Sequence, residues 1–128
     1  MRTAIAEELK DIDDFGERVY QAFSAPENTT TPYCTFKITG EDPVIDNRSA
    51  SFLRLEVYLY GSPSSFTALD DLELAVRQQL HNATLQTDDS PPKDFTIHYD
   101  RTLPDFFDDQ RKLFQKIIYF YIPKARAS

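Results

Sequence analysis

The residues of this chain best suited to chemistry are His98 and Asp100, two apart in Ile97-His98-Tyr99-Asp100. On a strand, side chains two apart share a face, so the pair could serve as a base and its orienting carboxylate. A base alone does not make an enzyme. No Ser or Cys nucleophile is tied to the pair by a motif, and acyl or group transfer needs a nucleophile within reach of its base. The preferred reading is a solvent-facing strand histidine paired across a sheet, and no catalytic residue is assigned. His81 follows an amphipathic stretch and is read as serving the negative end of a helix.

Metal and phosphate chemistry fare no better. Four Asp-Asp doublets stand at Asp13-Asp14, Asp70-Asp71, Asp88-Asp89 and Asp108-Asp109. A calcium loop needs oxygen ligands at alternating positions around a turn glycine, and none of these stretches has that array, so they read as solvated acidic surface. Cys34 is the only cysteine, which excludes an intrachain disulfide and a cysteine-based metal cage; a buried, inert thiol in a strand is its expected state. Gly16, Gly40 and Gly61 are isolated, so no loop can cradle a phosphate. No cofactor and no metal are expected.

The formal charge of −7 argues against a protein that grips nucleic acid, because phosphate binding is driven by clustered Lys and Arg. Arg54 and Lys116 lie among aromatics in strand-like segments, but two cations on so acidic a chain do not make a nucleic-acid platform. Ten Phe, seven Tyr and only three Gly favour a rigid body with large contact surfaces. No apolar run approaches the roughly 20 residues needed to cross a bilayer. The start, Met1 to Glu8, lacks the apolar core of a secretory signal, so the expectation is synthesis in the cytoplasm without a membrane partner. A chain of 128 residues is expected to form one domain.

The elements that must carry these residues follow from periodicity. Ile5, Leu9 and Ile12 fit a short helix from Thr3 to Asp14, with Thr3 as cap, Glu7 and Glu8 at its positive end and Gly16 as its stop. Glu17 to Phe23 is compatible with a helix or a strand, and its β-branched and aromatic content favours a strand. After a polar turn at Ala25 to Pro32, Tyr33 to Ile38 alternates again, which predicts a hairpin. Thr39 to Ser49 has loop composition, with Glu41, Asp42 and Asp46 making a negative tip.

Phe52 to Tyr60 is a long two-faced strand. Leu53, Leu55, Val57 and Leu59 fall on one side; Phe52, Arg54, Glu56, Tyr58 and Tyr60 fall on the other. A helix follows in which Phe66, Leu69, Leu72, Val76 and Leu80 form one stripe, with Asp70, Asp71 and Glu73 early and Arg77 late. His81 to Asp94 turns polar, and Pro91-Pro92 is expected to rule out regular structure there, while Phe95, Ile97 and Tyr99 alternate as one strand. Thr102 to Arg111 is a longer excursion carrying Phe106 and Phe107. The last strand places Phe114, Ile118, Phe120 and Ile122 on one face and Gln115, Ile117, Tyr119 and Tyr121 on the other. The sum is an α+β domain: a mainly antiparallel sheet of about four to five strands with two helices packed on one face.

This order of segments resembles the tail terminator, or tail-completion, proteins of long-tailed bacteriophages. The resemblance lies in Gly16-Glu17-Arg18-Val19-Tyr20, Thr31-Pro32-Tyr33-Cys34-Thr35-Phe36, and the strand Phe52 to Tyr60 running through Gly61 into the helix ending Val76-Arg77-Gln78-Gln79-Leu80-His81. It closes with Arg101 before Asp105 and with Ile117-Ile118-Tyr119-Phe120-Tyr121-Ile122. It covers nearly the whole chain, and its specificity is in the order, since each piece is common alone. The 101 to 111 excursion and the acidic balance depart from or elaborate on that pattern.

The resemblance implies a structural virion protein and no enzyme. Copies would form a hexameric ring that caps the tail tube, ends its polymerisation and docks to the head connector at the head-tail interface, after assembly in the host cytoplasm. DNA would pass through the lumen without specific binding, in keeping with copies that each carry −7, whose lumen would repel phosphates. A ring is built from heterologous contacts, and Phe106, Phe107, Tyr58, Tyr60 and Arg54 are the expected subunit or partner contacts, while Tyr33 and Phe36 are expected in the core. The rival readings are another head-tail connector component, such as a head-completion or stopper protein, and a cytoplasmic protein-binding module.

Overall fold

The computed structural model describes residues 2–12, 15, 18–21, 32–39, 52–62, 66–87, 91–104, 106–109 and 113–123. Among the described residues, two helices, α1 (Arg2–Lys10) and α2 (Phe66–Leu80), accompany eight strands. The strands are β1 (Val19–Gln21), β2 (Tyr33–Thr39), β3 (Phe52–Gly61), β4 (Thr84–Gln86), β5 (Asp94–Thr96), β6 (His98–Thr102), β7 (Phe106–Asp108) and β8 (Leu113–Pro123). Six form one sheet in the order β1-β2-β3-β8-β6, with β7 also on β8; β4 and β5 pair separately. The α+β class and the mainly antiparallel sheet agree with the sequence, and the main sheet gains β7 beyond the expected count.

The long strands sit at the centre because they have the most to bury. In the antiparallel register, Leu55 faces Phe120 and Val57 faces Ile118, while Phe36 faces Val57 from the other neighbour. These side chains are sealed against Ile5 and Leu9 of α1 and Leu69, Leu72, Val76 and Leu80 of α2. Each fully buried aliphatic contributes about 1.5–3 kcal/mol by transfer, an upper bound against an extended chain. Both helices therefore cover one face. At Gly61 the sheet and α2 lie close together: a Cβ there would lie 2.8 Å from Leu69 Cγ.

Several local expectations are corrected. The first helix ends at Lys10, so Thr3 lies inside it, and Glu7 and Glu8 fall in its second half instead of at its positive end. Glu8 instead accepts a 2.6 Å hydrogen bond from Gln79 Nε2, joining the helices. In α2 the first turn holds no acid, whereas Arg77 does lie in the last; dipole effects fade beyond the terminal turn, so Asp70 and Asp71 act elsewhere. The expected hairpin of the first two strands is absent. Val19–Gln21 forms the strand favoured by composition, but it pairs with β2 in parallel, an arrangement that requires a crossover in place of a tight turn.

The single strand read through Phe95, Ile97 and Tyr99 is two. Asp94–Thr96 turns to β4 and His98–Thr102 turns to β8, because the polar segment after α2, expected to hold no regular structure, folds back to form the strand Thr84–Gln86 ahead of Pro91-Pro92. Asn82, with φ of 63°, makes that reversal, and its amide donates to the Ile97 carbonyl at 2.7 Å. Asparagine is among the few non-glycine residues that tolerate this conformation. Among the described residues, no helix is long and apolar enough to cross a membrane. The Gly16 stop, the acidic tip at Glu41, Asp42 and Asp46, and the doublets Asp13-Asp14 and Asp88-Asp89 lie outside the described residues.

Candidate assembly surface

The face of the sheet turned away from the helices is built by alternation and register together. Across β2, β3 and β8, Lys37 stands beside Glu56 and Glu56 beside Tyr119; Thr39 stands beside Arg54 and Arg54 beside Tyr121. From the edge strand β6, His98 faces Tyr121 and Arg101 faces Tyr119. The result is a continuous surface of rings with cations between them.

Three clusters organise it. Tyr119 lies under two guanidinium groups, Arg54 at 5.7 Å and Arg101 at 5.0 Å from its ring centre, an attraction between cation and ring quadrupole. Tyr121 stacks on His98 at 5.2 Å and meets Phe52 edge-on at 6.0 Å. Toward the other end, Tyr33 and Tyr60 stack at 4.6 Å, Tyr20 meets Tyr33 edge-on, and Gln115 Nε2 donates to the Tyr60 hydroxyl at 3.0 Å.

The carboxylate of Glu56 is nearly buried in the middle of this face. Tyr58 Oη donates to its Oε1 at 2.9 Å, and Lys37 Nζ lies 3.8 Å from Oε2. A buried charge is tolerated when it is paired and hydrogen-bonded. Burial, followed by the hydrogen bond to Glu56 and its charge, pushes the Tyr58 hydroxyl well above its ordinary range. Tyr58 therefore stays a donor.

The contact residues expected from sequence do not form one patch. Arg54 and Tyr58 are half-buried on the open face. Tyr60 is on the same face but only 6% exposed, shut in by Tyr33 and Gln115, so in the single chain it supports the surface from beneath. Phe107 is 39% exposed, yet its ring lies edge-on to Phe114 at 5.3 Å, on the helix side of the sheet. Of Phe106, the backbone pairs opposite Gln115 in β7. Tyr33 and Phe36 are both buried, on opposite faces.

Sequence reading missed the cations contributed by Arg101 and Lys37, whereas His98, read as a strand histidine paired across the sheet, does pair with Tyr121. Strand alternation placed Tyr119 and Tyr121 on the right face, but no local signal fixes which residues of β3 and β6 stand beside them. Lys116, grouped by sequence with Arg54, points the other way and bridges Asp70 of α2 at 2.8 Å.

The geometry does not assemble the His98-Asp100 pair. The register shifts between Tyr99 and Arg101, so Asp100 is the extra residue of an irregularity and alternation is lost there. Its carboxylate is 3.9 Å from Arg101. His81, exposed after α2, accepts the Tyr99 amide hydrogen at Nδ1 over 2.9 Å, tying the helix end to β6. Cys34 is fully buried opposite Leu59, and burial pushes its thiol up to about 12. Among the described residues, no group of three metal-ligating side chains comes together.

Comparison with solved structures finds this fold in a chain from the virion of a native gene transfer agent (GTA) particle. The TM-score is 0.65, and the alignment covers 96% of this chain and 92% of that one at 13% identity. At that identity the likeness is one of fold. No protein-family model and no curated protein sequence matches the chain significantly.

Proposed function

We propose that this chain is a structural component of a phage-like virion and, within it, the tail terminator. Copies close into a hexameric ring on the finished tail tube, end its growth and receive the head connector, while DNA passes through the lumen without specific binding. The observation that carries the virion reading is the nearly end-to-end likeness of fold to a chain of the gene transfer agent virion. The choice of terminator rests on the order of segments from Gly16-Glu17-Arg18-Val19-Tyr20 to the final strand.

The open sheet face supports a role in assembly. Aromatic rings and arginines are enriched at interface cores and hot spots, and Arg54 and Tyr58 lie on the same face as Tyr119 and Tyr121. Tyr60 supports it from below, and the β7 pair Phe106 and Phe107 supplies a second contact at the end of β8.

Electron microscopy of tails made without this protein tests the reading. A terminator's absence gives tubes of uncontrolled length. Tails of normal length that fail to join heads would move the chain to a head-completion or stopper role. Unaltered virions would overturn both, and a native mass showing a heterodimer with a protein unrelated to tails would establish a binding module instead.

A further inference from the structure

The two layers of the domain differ in charge as well as in composition. On the open sheet face the cations Lys37, Arg54 and Arg101 outnumber the carboxylates Glu56 and Asp100, although the chain as a whole carries −7. The helical layer has the opposite sign: α1 and α2 hold Glu7, Glu8, Asp70, Asp71 and Glu73 against Arg2, Lys10 and Arg77. Among the described residues the exposed large apolar side chains are Tyr121 at 37% on the open sheet face, Leu74 at 50% on α2, and Phe107 at 39% at the end of β8 on the helix side. Leu74 lies on an outward stripe with Asp71 and Gln78, all exposed, as spacings of three and four dictate.

From this complementarity we infer that the open sheet face docks onto the outward stripe of α2 in a second copy of the same chain. The inference rests on the ring reading above and assigns its two unlike patches. A closed ring needs a donor patch and an acceptor patch that differ and face different ways, and the sheet and helix layers lie on opposite sides of the domain. Leu74 seats against Tyr121 and its neighbouring rings, and Asp71 meets the arginines over Tyr119. Opposite potentials then fix which side of one copy meets which side of the next.

Two charge-reversed variants test this. The sheet variant is Arg54→Glu with Arg101→Glu; the helix variant is Asp71→Lys with Gln78→Lys, both at exposed helix positions. Self-association is read by light scattering and native mass, alone and with tail tubes made without the protein, after thermal melts establish folding. Each variant alone is expected to lose association, since like charges then meet. An equimolar mixture is expected to regain it, because each variant's reversed patch faces the other's opposite charge, giving alternating rings.

Leu74→Ser, which leaves the sheet and the charge of the stripe untouched, is expected to lose association as well. Folded variants that associate like the parent would overturn the patch assignment while leaving the ring reading in place. A mixture that stays dissociated would overturn the pairing of these two patches. A parent chain that remains solitary even on tubes would overturn both readings.

Discussion

Tyr58 and Glu56 stand two residues apart on the open face of β3, and the tyrosine hydroxyl donates a 2.9 Å hydrogen bond to the glutamate. The pair explains how a carboxylate persists at 9% exposure in the centre of a sheet. It also ties the stability of the domain to the protonation of one phenol.

Because the folded-state value of Tyr58 is raised above the ordinary 10.0 that applies to the unfolded chain, the folded form holds its proton more tightly. Stability is then fully present below pH 10 and falls as pH rises beyond it. Urea titrations from pH 8 to 11 are expected to show this decline, and Tyr58→Phe is expected to flatten it. At pH 7 the same substitution removes a donor from a nearly buried carboxylate, at a cost of about 1–3 kcal/mol. A variant as stable as the parent at neutral pH, with an unchanged alkaline slope, would refute the role.

Gly61→Ala places a methyl group 2.8 Å from Leu69 Cγ, where α2 packs on the sheet. Overpacking of this kind costs about 1–3 kcal/mol. Chemical denaturation should give that loss, and the double variant with Leu69→Ala should lose less than the two singles combined, since the cavity accepts the new methyl.

Cys34 should resist alkylation in the native protein. Its burial and its raised value of about 12 leave almost no thiolate at pH 8, and the thiolate is the reactive form. Iodoacetamide labelling followed by mass spectrometry is expected to be slow in buffer and complete in denaturing urea. Rapid labelling without denaturant would show that the β2 strand opens readily.

Phe106→Ser with Phe107→Ser is expected to leave the domain folded and to abolish ring formation measured by light scattering. Phe107 is the more informative of the two, since it is 39% exposed while resting on Phe114. Undiminished assembly would remove β7 from the interface and leave the two faces as the only contacts.

How much of this was legible beforehand depended on the range of the signal. The sequence by itself determined the two faces of the strands read over Phe52 to Tyr60 and Leu113 to Ile122 and the buried stripe of Leu69, Leu72, Val76 and Leu80, because alternation and helical spacing are local properties that neighbouring residues impose on one another. It likewise determined a single unpaired thiol and an acidic, aromatic-rich surface. Only the tertiary structure decided that β1 runs parallel to β2, that the segment around Ile97 divides between two sheets, and that Arg54 and Arg101 converge on Tyr119. Those depend on strand direction and register, which are fixed by contacts between residues far apart in the chain. The same distance in sequence hid the fate of Tyr60: alternation put it on the open face, but only the stacking of Tyr33 and the reach of Gln115 from β8 sealed it there.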